Sequence, residues 1–146
     1  MFRILVVDDE VDFSETIVNR LQKRKLDATG VTSGEEAVAL LKEQLFGVII
    51  LDIKMPGGMD GIETLLEIKK IQPLAEVLLL TGHASVETSI EGMKLGAFDY
   101  CLKPLKFEEL LQKIGAAFEK SAHDKKIRDA KIQQLGRYPN KVFDQD

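Results

Sequence analysis

The 146-residue chain contains one cysteine and no hydrophobic run of membrane-spanning length, and both shortages exclude classes of protein. A lone Cys101 cannot form a disulfide within the chain, so a reducing cytoplasm is the expected location. We expect this residue to be a small buried hydrophobe in a strand rather than a reactive thiol. No apolar run approaches the roughly 20 residues that a membrane helix needs. The N-terminal run reaches Asp8 before a signal-peptide hydrophobic region forms, so no membrane segment is expected.

Basic residues are not in excess, because Lys and Arg number 20 against 24 Asp and Glu, and the formal net charge is -4. Without a basic stripe to displace counterions from phosphates, direct binding to nucleic acid is not expected. The chain also lacks internal repeats and low-complexity segments. Its length and its hydrophobic fraction of 45% are those of one globular domain with a substantial core.

Five short apolar runs are spaced along the chain. The third of them is unbroken and rich in β-branched residues, which is typical of a strand covered on both faces of a parallel sheet. The second contains Asp27 and Gly30, so we expect it at an edge of the sheet. The predicted strands are Ile4–Val7, Leu26–Val31, Val48–Leu51, Val77–Leu80 and Phe98–Leu102.

Segments with helical spacing of apolar residues alternate with these strands. Asp12 is the expected N-cap of the first, Ser33 and Glu36 have capping-box spacing at the second, and Gly96 is the expected C-terminal cap of the fourth. This alternation predicts an α/β fold, a doubly wound (βα)5 domain with a five-stranded parallel sheet in the flavodoxin-like order 2-1-3-4-5. The predicted helices are Asp12–Arg24, one opening at Ser33, one near Ile62–Ile71, Ala84–Leu95 and Phe107–Phe118.

The C-terminal part of the chain differs from the rest. Residues 123–134 are dense in charge, and their only apolar points are Ile127, Ala130 and Ile132. That stripe is too sparse to bury a core. We therefore expect a domain over residues 1–118, followed by a charged helical extension or linker over residues 119–146.

Polar residues stand where the predicted strands end. Asp8 and Asp9 follow the first strand, Asp52 the third, Thr81 the fourth and Lys103 the fifth. If the first and third strands are neighbours, as at the switch point of this fold, three carboxylates converge in one crevice. Such a cluster needs compensating charge, and Mg²⁺ with its preference for oxygen ligands would supply it. With Lys103 added, the formal charges of the site cancel, which prepares it for an incoming phosphoryl group.

Each of these residues has a chemical role in that hypothesis. Asp52 is the nucleophile, because an aspartate carboxylate can form an acyl phosphate. Lys103 and the metal would neutralise charge on the phosphoryl oxygens, and the Thr81 hydroxyl would donate to one of them. Taken singly, each residue is more commonly a turn, cap or surface residue. Their occurrence at successive strand ends is what favours the functional interpretation.

The same residues carry a resemblance to a known family. Asp8-Asp9, Asp52-Ile-Lys-Met-Pro, Asp60-Gly61, Thr81-Gly82 and Lys103-Pro104 resemble the motifs of the receiver domain of bacterial two-component response regulators, in the same order. The resemblance covers about residues 1–118. It implies a phosphoprotein switch that takes its phosphoryl group from a sensor histidine kinase or phosphotransfer protein, rather than a turnover enzyme.

The resemblance also implies roles for particular residues. Asp9, Asp52 and the main-chain carbonyl of Lys54 would bind Mg²⁺ directly, with Asp8 helping through water. Thr81 and Tyr100 would be the switch residues, acting on the face formed by the fourth helix, fifth strand and fifth helix. A downstream protein or an output domain would receive the signal, and a homodimer through that face is a further implication.

One loop near the motifs departs from the family pattern, and two side chains near the motifs have open roles. The loop Met55–Gly61 has one residue more than the commonest form in the family, and we expect the extra glycine to be absorbed as slack. The Lys54 side chain is expected in solvent. His83 is expected at the surface or at a helix start.

Two other interpretations of the same residues are less favoured. A phosphatase of the haloacid-dehalogenase kind also uses an aspartate, Mg²⁺, a Thr and a Lys, but its nucleophile lies on the first strand in an Asp-x-Asp pattern, where this chain has Asp8-Asp9-Glu10. A receiver without phosphorylation chemistry is disfavoured because every chemical residue is present. A stand-alone receiver and one cut from a longer regulator both fit the sequence.

Overall fold

The computed structural model describes residues 3–82 and 85–137 and contains a five-stranded parallel sheet. The strand order is β2-β1-β3-β4-β5, which confirms the predicted doubly wound fold. Val7 of β1 lies opposite Leu51 of β3, so these two central strands end at nearly the same level. The strands are β1 (Arg3–Val7), β2 (Asp27–Val31), β3 (Val48–Asp52), β4 (Glu76–Thr81) and β5 (Asp99–Leu102).

Helices cover both faces of the sheet, and alternate strand residues face one layer or the other. Leu5, Ile49 and Val77 pack with α2 and α3, whereas Ile4 and Val48 pack with α1 and α5. Because β1, β3 and β4 are covered on both sides, their sequences are continuously apolar. The helices are α1 (Val11–Lys23), α2 (Gly34–Leu41), α3 (Gly61–Ile71), α4 (Val86–Lys94) and α5 (Phe107–Arg137).

Two of the three predicted helix caps are confirmed. The Ser33 hydroxyl accepts the Glu36 N–H at 3.1 Å, although the Glu36 carboxylate bonds the Thr32 hydroxyl instead of closing a capping box. Gly96 has φ of 109° and its N–H donates to the Met93 carbonyl at 3.2 Å, so it ends α4 as predicted. The predicted cap at Asp12 is wrong.

The error at Asp12 has a physical cause. Helix α1 begins earlier, at Val11, with Glu10 as N-cap and no side-chain cap bond. The Glu10 N–H instead donates to the Asp8 carboxylate at 2.9 Å. The backbone just before α1 is therefore held by Asp8, and Asp12 lies in the first turn of the helix.

Helix α5 continues without a break past residue 118 and carries the predicted helical extension as far as Arg137. Ser121 is buried and donates to the Leu74 carbonyl at 2.9 Å, and Lys120 pairs with the buried Glu76 at 3.0 Å. The first turn of the extension thus packs on the domain, while His123 is exposed. Residues 138–146 lie outside the described part of the chain.

The apolar side of α4 faces solvent. Val86, Ile90 and Met93 are exposed, as are Tyr100 and Leu102 of the neighbouring β5. Cys101, between the last two, is buried as predicted, and burial raises the pKa of its thiol to about 11. In the described residues, no helix combines the length and the apolar character needed to cross a membrane.

Candidate functional site

The site lies at the edge of the sheet where the parallel strands end, called here the carboxyl edge. Asp52 is the last residue of β3 and Asp8 directly follows the adjacent β1, so the pairing of Val7 with Leu51 places the two carboxylates side by side. Both are buried, with 0% of Asp8 and 4% of Asp52 exposed. Buried carboxylates of like charge are costly unless something compensates them.

Three acidic side chains converge there, as the strand-end pattern predicted. Oxygen atoms of Asp8, Asp9 and Asp52 all lie within 4.8 Å of one another. Asp9 is exposed, so the cluster opens to solvent on its side. Two inner acids and one outer acid thus form a cluster whose outer member reaches solvent.

Backbone N–H groups hold one oxygen of each inner acid. The Glu10 N–H donates to Asp8 Oδ1 at 2.9 Å, and the Lys54 N–H donates to Asp52 Oδ1 at 3.2 Å. In both cases the donor lies two residues after the acceptor, so each bond orients the carboxylate within a short turn of the chain. Both Oδ2 atoms are left to face Lys103.

The Lys103 ammonium lies among carboxylates at the end of β5. Its Nζ is 3.4 Å from Asp8 Oδ2, 3.6 Å from Asp52 Oδ2 and 3.9 Å from Glu10 Oε1. The Lys103 main-chain N–H donates to the Thr81 carbonyl at 2.7 Å, which ties the lysine to the adjacent strand. A single cation therefore faces both inner acids.

This arrangement changes the pKa values of all three groups. Burial raises the pKa of Asp52 to about 6, and the charge of Asp8 adds to this while Lys103 opposes it. Burial also raises the pKa of Asp8. Burial by itself would lower the pKa of Lys103, but the negative charges of Asp52, Asp8 and Glu10 raise it. A further positive charge would stabilise the ionised acids.

The donor set fits a hard divalent cation. Carboxylate oxygens are the ligands that Mg²⁺ prefers, and a partly open site leaves room for the waters that this ion keeps. The acidic cluster of Asp8, Asp9 and Asp52 could therefore hold a metal ion. The involvement of the Lys54 carbonyl stays a prediction.

The two predicted switch residues lie on neighbouring strands. Thr81 is fully buried at the end of β4, and its hydroxyl donates to the Gly82 carbonyl at 3.1 Å. Tyr100 of β5 is 39% exposed, with the Lys113 ammonium 5.4 Å from its ring centroid. The hydroxyl is thus beside the site, and the aromatic ring is at the surface.

The loop after β3 accommodates its additional glycine through left-handed backbone. Gly57 and Gly58 have φ of 79° and 113°, which other residues adopt at a cost. The Met59 N–H donates to the Glu35 carboxylate at 2.7 Å, so the loop is tied to α2. The Lys54 side chain is exposed, in agreement with the prediction, whereas His83 lies outside the described residues.

Sequence reasoning missed two neighbours of Lys103. Neither Glu10 nor Phe13 is among the predicted site residues. The Phe13 ring centroid is 4.6 Å from Lys103 Nζ. The signal available in the sequence was the position of Phe13 one helical turn after Asp9, on a helix that begins at the site.

Comparisons with known proteins agree with this geometry. The sequence model described as the response regulator receiver domain matches residues 4–115. The chain is 40% identical over 107 residues to the transcriptional regulatory protein ZraR of Escherichia coli (strain K12), which covers 73% of this chain and 24% of ZraR. This chain therefore spans about a quarter of the length of that relative.

Solved structures give the same result. The receiver domain of NtrX from Brucella abortus has a TM-score of 0.76 and 32% identity, over 80% of this chain and 98% of that one. A response regulator receiver domain protein from Clostridium thermocellum has a TM-score of 0.79 and 34% identity, over 84% and 98%. With its strand order, its acidic carboxyl edge and the match to residues 4–115, this chain belongs to the response regulator receiver domain family.

Proposed function

We propose that Asp52 is the phosphoacceptor of this receiver domain and that its phosphorylation switches the conformation of the α4, β5 and α5 face. The observation that carries the proposal is the Asp52 carboxylate itself. It is 4% exposed, ends a buried central strand, and lies 3.6 Å from the Lys103 ammonium. A receiver of two-component signalling needs such a residue, and Asp52 is the acid at the centre of the crevice.

In the proposed step, one Asp52 carboxylate oxygen attacks the phosphorus of a phosphohistidine on the kinase or phosphotransfer protein. A new O–P bond forms as the N–P bond breaks, and the electron pair stays on the imidazole nitrogen, which then takes a proton from solvent. The Lys103 ammonium neutralises charge on a transferring oxygen. Mg²⁺ held by Asp8, Asp9 and Asp52 would supply further charge neutralisation when bound.

The proposed switch follows from the added charge. Thr81 would give up its bond to the Gly82 carbonyl and donate to a phosphoryl oxygen, which vacates space beside β4. Tyr100, now 39% exposed, would turn inward toward that space. The phosphoryl group thereby biases a two-state element. The protein would act as a signalling switch and not as a turnover enzyme.

The partners proposed are a sensor histidine kinase and a downstream protein or output domain. Relatives such as ZraR and the regulatory protein AtoC of Escherichia coli (strain K12) are about four times as long as the matched region, and they are named as regulators. The exposed apolar residues Val86, Ile90 and Met93 support contact with a partner or a second copy at the α4 face.

Intact-mass measurement after incubation with acetyl phosphate tests the proposal. We expect one phosphoryl group, dependent on Mg²⁺, lost at alkaline pH and absent in Asp52→Asn. Asp12→Asn, which changes an exposed acid of α1, is the matched control and should accept the group normally. An adduct that survives in Asp52→Asn, or no adduct in the wild type, would overturn the proposal, and steady hydrolysis of small phosphoesters would favour a phosphatase.

A further inference from the structure

The Lys103 ammonium has two kinds of neighbour, carboxylates and an aromatic ring. On one side lie the oxygens of Asp8, Asp52 and Glu10 at 3.4, 3.6 and 3.9 Å, each longer than a close charge-assisted hydrogen bond. Its other close neighbour is the ring of Phe13, whose centroid is 4.6 Å from Nζ. The carboxylates attract the ammonium, but none of them fixes its orientation through a short bond.

The Phe13 ring has the properties needed to direct this ammonium. The face of an aromatic ring attracts a cation within about 6 Å of its centroid. A ring also has no lone pair that would compete for a metal ion or a phosphoryl oxygen. A carboxylate in the same place would add a charge to the crevice, whereas the ring adds none.

Phe13 is itself held in place. It lies on α1, which begins two residues after Asp9, and it is half-buried against the core formed with α5. The Lys103 side chain is 23% exposed, so most of its surface is covered by the protein. The Phe13 ring, packed against the core, forms part of that cover at 4.6 Å from the ammonium.

We propose that Phe13 is a positioning residue for Lys103. Its ring holds the ammonium over the acidic crevice, on the side from which Lys103 meets an oxygen of the transferring phosphoryl group. The proposal rests on the function proposed above, because it concerns the approach of Lys103 to a phosphoryl group on Asp52. Helix α1 would then take part in the reaction through the side chain of Phe13.

A double-mutant cycle separates this role from a structural one. The rate constant of phosphorylation by phosphoramidate is measured by intact mass at saturating Mg²⁺ for the wild type, Phe13→Leu, Lys103→Ala and the double variant. We expect Phe13→Leu to slow the wild type about three-fold, the scale of one partly exposed cation–ring contact. In the Lys103→Ala background the same substitution should have no further effect. Phe13→Tyr, which keeps the ring face, should restore the rate.

The matched control is Phe98→Leu, which removes a partly buried ring of the same core immediately before β5. It should leave the rate unchanged. If Phe13→Leu slows the Lys103→Ala protein by the same factor, or leaves the wild type unaffected, the proposal is wrong. If the wild type takes no phosphoryl group, the proposed function fails first, and the two failures are thus distinguishable.

A second measurement needs no phosphorylation and no metal. The methylene group beside the Lys103 ammonium should show an upfield ring-current shift in the NMR spectrum, identified by its loss in Lys103→Ala. The shift should persist in Phe98→Leu and disappear in Phe13→Leu or Phe13→Met. A wild-type methylene signal at the ordinary lysine position would overturn the proposal even if Phe13→Leu failed to fold.

Discussion

At the scale of single residues, the burial of Asp52 opposes its ionisation. Its pKa is raised to about 6 in the folded protein, chiefly by burial and then by Asp8. The unfolded protein ionises this group near pH 3.8, so between about pH 4 and 6 the folded state binds more protons. The raised pKa of Asp52 therefore makes its full contribution to the free energy of unfolding at low pH. That contribution is lost as the pH rises through this window.

We predict that Asp52→Asn stabilises the metal-free protein by about 2 kcal/mol at pH 7, because the buried charge is gone. The gain should disappear below about pH 4, where the wild-type carboxyl is neutral in both states. Urea unfolding at several pH values measures it. Asp27→Asn, an exposed acid on the edge strand β2, should change the free energy of unfolding by under about 0.5 kcal/mol. A destabilised Asp52→Asn at pH 7 would contradict the account.

The ends of the apolar runs predicted which polar residues lie at the carboxyl edge, because a polar residue after a buried strand has one plausible position. Asp8, Asp9, Asp52, Thr81 and Lys103 all lie at the carboxyl edge as predicted. Phe13 could not be assigned to the site in this way. Its helical spacing fits a core position equally well, and only the relative placement of α1 and β5 brings its ring to Lys103.

At the scale of elements, Gly61 allows α3 to begin against β3. A Cβ atom at this position would lie 2.5 Å from the Ile53 carbonyl oxygen, which is backbone and cannot move aside cheaply. We predict that Gly61→Ala costs more than about 2 kcal/mol of unfolding free energy. It should also slow phosphorylation, because Ile53 directly follows Asp52.

Gly115→Ala is the matched control for that substitution. Gly115 lies within α5, and an added Cβ would meet nothing within 4 Å. Alanine should stabilise the helix by about 0.5–1 kcal/mol. Thermal unfolding of both variants compares them, and equal melting temperatures would refute the predicted close approach at Gly61.

The extension of α5 is attached to the domain through its first turn. Glu76 is 3% exposed at the start of β4, and the Lys120 ammonium reaches it at 3.0 Å while also bonding Asp124 at 2.7 Å. We predict that Lys120→Met costs about 1–2 kcal/mol by leaving the Glu76 carboxylate without this cation. The double variant with Glu76→Gln should recover part of the loss.

Hydrogen exchange measures the same attachment locally. Amides of residues 119–128 should exchange faster in Lys120→Met than in the wild type, because the first turn of the extension is released. Lys126→Met, at an exposed position of the same helix, is the control and should leave exchange unchanged. Unchanged exchange in Lys120→Met would show that the ion pair does not hold the extension.

Helices and strands are predictable where the apolar pattern is unbroken, as in the central residues of β1, β3 and β4 and in α3. The sequence did not show how far α5 continues, because residues 123–134 lack an apolar stripe and helical propensity alone sets no end point. The attachment at Ser121 and Lys120 depends on Leu74 and Glu76, which are distant in sequence. Such contacts have no local signature.

At the scale of the whole molecule, the proposed function requires a signal to pass from Asp52 to the α4, β5 and α5 face. The chain has no tryptophan and two tyrosines, so in Tyr138→Phe the fluorescence of Tyr100 alone is observed. We predict that beryllofluoride with Mg²⁺ lowers acrylamide quenching of Tyr100, which is 39% exposed before the switch. Thr81→Ala should abolish the change while still binding the phosphoryl mimic. Equal quenching in both states would contradict an inward rotation.

The most direct test of the central claim locates the phosphoryl group chemically. Borohydride reduces an aspartyl phosphate to homoserine, so the protein is treated with acetyl phosphate and Mg²⁺, reduced, digested and sequenced by mass spectrometry. We predict homoserine at position 52 and nowhere else. Homoserine at position 8 or 9, or phosphate retained on a hydroxyl or imidazole, would contradict it.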